Sequence, residues 1–277
     1  MKNMCRIFFL CSFLSAANLN LQAQHSSDTS ALIRELNKVM SFAVQPYLCY
    51  TTTTTMSRGP LLAGADTGRS LHSHFYKMGT DLFYGNEQDE MFLQDSLLVR
   101  IDHGRKSIQL NKVDEAARRK IDLLPLKKVD MQRLFREHYT LSEIPDLGDT
   151  ASILIRKEDK SGLQPLADMQ ILIRYVKTSH LPLIMAVTMQ LRQAPSQGIS
   201  DQLKKEGFDV AKMVVERDGR RSLVLKQSML VSFGAIAEDK ADAMKMPSWK
   251  QKIAYDQAVQ DFKGIGPCEG YEVIKTF

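Results

Sequence analysis

A polar lead-in over residues 24–30 gives way to Leu32, Ile33, Leu36, Val39 and Met40 at offsets 0, 1, 4, 7 and 8. That repeat is one apolar stripe of an amphipathic helix, with Asp28 or Ser30 placed to cap it. From Val44 to Lys112 the period shortens to two. Tyr47–Tyr50 and the run Thr51–Thr55 are strand formers, and the Gly- and Pro-bearing segment Arg58–Gly68 predicts a loop. Short alternating segments follow at Leu71–Lys77, Asp81–Tyr84, Met91–Gln94, Leu97–Ile101 and Ser107–Leu110, each joined to the next by polar turn residues.

A helical insert is predicted over about 113–145: Val113–Leu124, an interruption at Pro125, then Val129–Tyr139 with Met131, Leu134, Phe135 and His138 on one face. A second strand-rich half occupies Ser152–Arg156, Asp168–Lys177, Leu183–Leu191, Met213–Glu216 and Leu223–Phe233. Pro195–Gly207 reads as a polar loop or short helix, Lys245–Lys263 fits strand and helix equally, and Tyr271–Ile274 closes the chain as an edge strand. Helix, meander, helical insert and second meander predict an α+β fold. Its core would be a strongly curved antiparallel sheet, an open half-barrel, with helices covering the concave face. No linker divides residues 24–277, so one domain is expected there.

The first residues differ from the rest. Lys2 and Arg6 precede the apolar run Ile7–Leu14, and small residues follow up to Leu21-Gln22-Ala23-Gln24, the layout of a secretory signal over residues 1–23. The run is too short to span a bilayer, which takes roughly 20 residues. An exported, periplasmic product without a transmembrane segment is therefore expected, and nucleic acid is excluded as a partner. Loss of Lys2 and Arg6 lowers the net charge from +5 to +3. Loss of Cys5 and Cys11 leaves Cys49 and Cys268, which an oxidising compartment allows to pair if their Cα atoms approach. A hydrophobic content of 44% and a charged content of 25% are those of a folded protein and exclude disordered and collagen-like classes.

Four stretches carry a resemblance: the leader ending Leu21-Gln22-Ala23-Gln24, the meander from His74-Phe75-Tyr76-Lys77-Met78-Gly79 through Phe92-Leu93-Gln94-Asp95 to Leu98–Asp102, the segment Ser232–Ile236, and the terminal Tyr271–Ile274. In this order the chain resembles the lipoprotein-carrier (LolA/LolB-like) family, especially secreted relatives in Bacteroidetes-type bacteria. The resemblance implies a half-barrel closed by helices and a cavity that holds acyl chains. It carries no gating residue over to a position of this chain.

The chemistry of individual residues is sparse. His72 and His74 share a strand face but lack a third ligand at defined spacing, so no metal is expected. No Gly-x-Ser-x-Gly elbow and no phosphate-cradling glycine loop occurs, so neither a catalytic residue nor a cofactor is assigned and the protein is read as non-enzymatic. A lipid or lipoprotein acyl chain in the concave face would contact Leu36, Met40, Leu134, Phe135, Ile171, Ile173, Met185, Val187 and Met189. The alternative rests on charge: residues 100–139 hold eleven basic and six acidic residues. An interaction or structural subunit of an envelope assembly would use that stretch, with Arg118, Arg119, Lys120, Lys127 and Lys128 meeting an envelope protein partner.

Overall fold

A computed structural model describes residues 27–60, 69–115, 118, 139–144, 148–158, 166–217 and 219–276. Helix α1 (Ser27–Met40) leads through a 3-10 turn at Ser41–Val44 into β1 (Tyr47–Pro60). A meander follows: β2 (Arg69–Met78), β3 (Asp81–Asn86), β4 (Asp89–Gln94), β5 (Leu97–Asp102) and β6 (Ser107–Lys112). Then come β7 (Tyr139–Ile144), β8 (Thr150–Glu158), β9 (Leu166–Val176) and β10 (Pro182–Gln193). Helix α2 (Gln197–Lys205), β11 (Val214–Arg217) and the long β12 (Arg220–Ala237) precede the C-terminal segment. That segment holds α3 (Lys240–Ala243), the hairpin β13 (Ile253–Asp256) and β14 (Asp261–Gly264), and β15 (Glu272–Lys275).

Thirteen strands form one sheet in the order β15-β6-β5-β4-β3-β2-β1-β12-β10-β9-β8-β7, with β11 beside β12. All its pairs are antiparallel except β6 with β15, so the sheet is mixed. The expected half-barrel is not present. The strand order is an open path, the sheet is neither closed nor strongly curled, and three short helices accompany it among the described residues.

Register explains why. Leu82, Leu93 and Leu98 align across β3, β4 and β5 on one face, and Phe83, Phe92, Val99 and Leu110 align across β3 to β6 on the other. Both rows are buried, so this block is apolar on two sides and is covered from two sides. The first row packs with Phe42, Ala43 and Tyr50, the second with Trp249, Ile253 and Cys268 of the C-terminal segment. One concave apolar face would have put both rows on the same side.

At the other end, the face shared by Tyr139, Ile153, Ile155, Ile173, Val187 and Met189 is covered by α1 through Leu36 and Val39, both fully buried. The stripe predicted for this helix is thus real, and its partner is the sheet. Ala, Leu and the unbranched residues of α1 favour the helix, while Thr51–Thr55 suit the pleat of β1.

Two local expectations are corrected. Tyr139–Ile144, read as the end of the helical insert, is a strand paired with β8 from Tyr139 opposite Lys157 to Ile144 opposite Ser152. Arg58–Pro60, read as a loop, continues β1, because β12 is long enough to pair with it as far as Leu225.

If α1 is part of the core, Leu36→Ala should cost about 2–5 kcal/mol in urea unfolding. A loss below about 0.5 kcal/mol, the scale of a surface substitution, would contradict that placement.

Candidate functional site

Seven of the nine residues expected to contact an acyl chain come together in one cluster. Leu36, Ile173, Val187 and Met189 are buried in it, and Met40, Ile171 and Met185 pack against it; Leu134 and Phe135 lie outside the described residues. Their contacts are with one another and with the rest of the cluster. The acyl-chain reading is therefore corrected: α1 occupies the face that a ligand would need, and no concave cavity is present among the described residues.

Of the basic residues assigned to a partner, Arg118 alone falls within the described residues; Arg119, Lys120, Lys127 and Lys128 do not. Arg118 is engaged in structure. Its Nη2 pairs with Asp81 Oδ1, and its Nε donates to the Thr80 carbonyl at 3.3 Å, clamping the β2–β3 turn. Further back in the basic stretch, Arg100, Arg105, Lys106 and Lys112 are exposed. Arg105 faces Asp102 at 3.5 Å, and its backbone N–H donates to Asp102 Oδ1 at 2.8 Å. The β5–β6 turn is thus a rigid, cationic projection.

What holds this turn from below escaped sequence reasoning. Glu90, Phe92 and Gln94 alternate outward along β4 and receive the C-terminal segment. Gln94 Nε2 donates to the Pro247 carbonyl at 3.0 Å, and Phe92 packs in the cluster of Trp249 and Ile253. Glu90 Oε1 lies 3.2 Å from Lys252 Nζ and 3.4 Å from His103 Nε2. His103 Nδ1 lies 3.1 Å from the Tyr271 hydroxyl.

Side-chain exposures of 15% for Glu90, 23% for His103 and 21% for Lys252 place this network in a partly desolvated seam, where charge-assisted contacts are stronger than at the surface. Glu90 Oε2 is buried without a hydrogen-bond partner. Beside Tyr271, the backbone of Gly264–Gly266 and Gly270 with Lys263 and Glu269 borders an open, shallow cleft of about 430 Å³. A Cβ on Gly264 would collide with the Cys268 carbonyl, so glycine is what lets the segment fold back on itself.

Cys49 and Cys268 are both free. Burial pushes both thiols up, opposed at Cys49 by the Tyr76 hydrogen bond and at Cys268 by Lys252. Neither is activated as a nucleophile. Among the described residues no three His, Cys, Asp or Glu side chains gather to hold a metal, and no helix is long and apolar enough to cross a membrane. His72 Nδ1 is instead 3.0 Å from Thr53 Oγ1.

A second seam joins α1 to the β9–β10 turn. Glu35 Oε1 accepts from Lys38 at 2.6 Å, and Glu35 Oε2 lies 3.1 Å from His180 Nε2, close enough for attraction but off the line of a hydrogen bond. The Lys38 hydrogen bond, opposed by partial burial and aided by the charges of Lys38 and His180, holds the Glu35 carboxyl below its ordinary 4.5. A lowered folded-state value means stability that is present above pH 4.5 and lost as pH falls through the folded value. Glu35→Gln should therefore flatten the acid limb of a stability–pH curve below about pH 5. An acid limb identical to wild type would contradict it.

No known protein family matches the chain, and no curated protein does. Remote likeness to solved structures exists. A DUF1329-family protein from Desulfovibrio piger aligns at 8% identity and TM-score 0.33, over 85% of this chain and 100% of that one. An uncharacterized conserved protein from Thermus thermophilus aligns at 8% identity and TM-score 0.35, over 88% and 99%. A LolA-superfamily protein from Nitrosomonas europaea aligns at 7% identity and TM-score 0.26, over 78% and 97%. The likeness to a LolA-superfamily fold is thus weak, is not specific to Bacteroidetes-type bacteria, and at these scores assigns no function.

Proposed function

We propose that the protein is an exported, non-catalytic interaction protein of the cell envelope that engages an acidic partner protein through its basic 100–139 stretch. One observation carries the reading: the β5–β6 turn presents Arg105 and Lys106 outward while its base is pinned. The His103 backbone N–H donates to the Gln88 carbonyl at 2.8 Å, and the Lys106 carbonyl accepts from Glu272 at 2.9 Å. A rigid cationic projection pays little ordering entropy on association. It also steers an acidic surface toward itself over about 10 Å at moderate salt. Export is supported by the leader pattern of residues 1–23.

Arg118 is set apart from this role by its clamp on Asp81; Lys106 is an exposed cation of the described turn, and Lys127 and Lys128 are assigned from the sequence and lie outside the described residues. The triple variant Lys106→Glu/Lys127→Glu/Lys128→Glu should lose an envelope protein that wild type captures below about 0.1 M salt and releases as salt rises. Equal capture by the variant would sink the reading. Binding to anionic phosphatidylglycerol vesicles, with no captured protein, would replace it with a lipid-surface role.

A further inference from the structure

The strand order ends at β15, and among the described residues no strand pairs with its far side. Its register on β6 is parallel, Glu272 opposite Ser107 to Lys275 opposite Leu110. Glu272 donates its N–H to the Lys106 carbonyl at 2.9 Å, and Thr276 donates to the Leu110 carbonyl at 3.1 Å. Backbone groups alternate sides along a strand, so Glu272, Ile274 and Thr276 turn theirs toward β6. Val273 and Lys275 therefore turn their N–H and C=O outward.

The side chains around this edge have a definite chemistry. Arg100, Gln109 and Ile274 lie in one cross-strand row over β5, β6 and β15, all exposed, with Ile274 at 39%. Lys106 stands at the start of β6, exposed, and neither it nor Arg100 makes an ion pair among the described residues. Lys275 reaches Asp261 at 2.7 Å, and Glu272 is the acidic residue of the strand itself. Ile274 is the exposed apolar side chain nearest the free edge and Lys106 the uncommitted cation at the start of the strand beside it, which fits a segment that alternates apolar and acidic residues.

The edge is also held in place. Tyr271, the residue before β15, meets His103 of the β5–β6 turn at 3.1 Å, and His103 rests on Glu90. Thr276 Oγ1 donates to the Leu110 carbonyl at 3.2 Å and also bonds Asn111. Both ends of a four-residue strand are thus tied down, and a terminal strand that would otherwise fray presents a fixed template.

We propose that the outer edge of β15 is the docking edge for an extended acidic segment of a partner protein, which adds as a further strand beside Val273 and Lys275. The proposal rests on the interaction reading above and names the partner's form: backbone pairing supplies affinity, while Lys106 selects carboxylates over ammonium groups. His103 and Tyr271 are positioning residues for it.

The test uses a fluorescein-labelled octapeptide of alternating Glu and Val, with a Lys–Val octapeptide as the control, and the full chain. Wild type should bind the acidic peptide and not the basic one, and the Val273 and Lys275 amides should gain protection from hydrogen exchange when it binds. Lys275→Pro removes one outward N–H and should weaken binding by about tenfold, the scale of one lost hydrogen bond, whereas Lys275→Ala keeps that N–H and should bind nearly as wild type. Lys106→Glu, at an exposed turn, should weaken binding without touching the strand. Equal binding by Lys275→Pro and Lys275→Ala, or unprotected Val273 and Lys275 amides, overturns strand addition. If the Lys106→Glu variant alone loses the peptide in that case, the basic-surface reading survives without it. Absence of any binding by wild type also overturns the docking edge, while the capture experiment still decides the broader reading.

Discussion

The two-sided burial of β3 to β6 is the constraint on which the rest of the structure depends. Phe92, Val99, Ile108 and Leu110 turn to one side and Leu82, Leu93 and Leu98 to the other, each at most 7% exposed. Burying an aliphatic or aromatic side chain of this kind is worth roughly 1.5–3 kcal/mol. Leaving either side in water would forfeit several such contributions, a loss comparable to the whole margin by which a domain is stable. The N-terminal 3-10 turn must therefore close one side, and the C-terminal segment must return across more than half the chain's length to close the other.

That return explains the polar seam. A segment laid on a sheet face cannot continue the ladder, so its position is set by side chains from β4: Gln94 on the Pro247 carbonyl, Phe92 in the apolar cluster, and Glu90 on Lys252 and His103. The same seam carries Tyr271 to the β5–β6 turn and delivers β15 to the sheet edge. With α1 on one face of β7 to β10 and this segment on one face of β3 to β6, those apolar faces are spent on the protein itself. Among the described residues, the cationic turn and the edge of β15 stay turned toward solvent.

Much of this architecture was legible in the sequence. Period-two segments located the meander, and offsets of 0, 1, 4, 7 and 8 located α1, because both patterns report one buried face directly. What periodicity does not report is which of two faces is buried against what. In β3 to β5 neighbouring positions are apolar, as in Leu82-Phe83, Met91-Phe92-Leu93 and Leu97-Leu98-Val99, and such runs signal burial on both sides. Reading them as one concave wall produced the half-barrel. Tyr139–Ile144 was missed because six residues are too few to outweigh the helical spacing before them and the Pro that follows. The Glu90–Lys252 and His103–Tyr271 contacts join residues 162 and 168 positions apart, and no local spacing announces them. The glycines at 264, 266 and 270 were the one visible trace that a tight return was being made.

Helix α1 is part of the core and leaves no ligand space beneath it. Native-state hydrogen exchange tests this directly, because it reads the free energy of each opening event. Leu36 and Val39 share a cluster with Ile153 and Ile155 of β8 and Ile173 of β9, so the amides of α1 beyond its frayed first turn should open together with those strands. Amides of Leu36–Met40 that exchange at a free energy several kcal/mol below that of β8 and β9 would contradict the account and make α1 a movable cover.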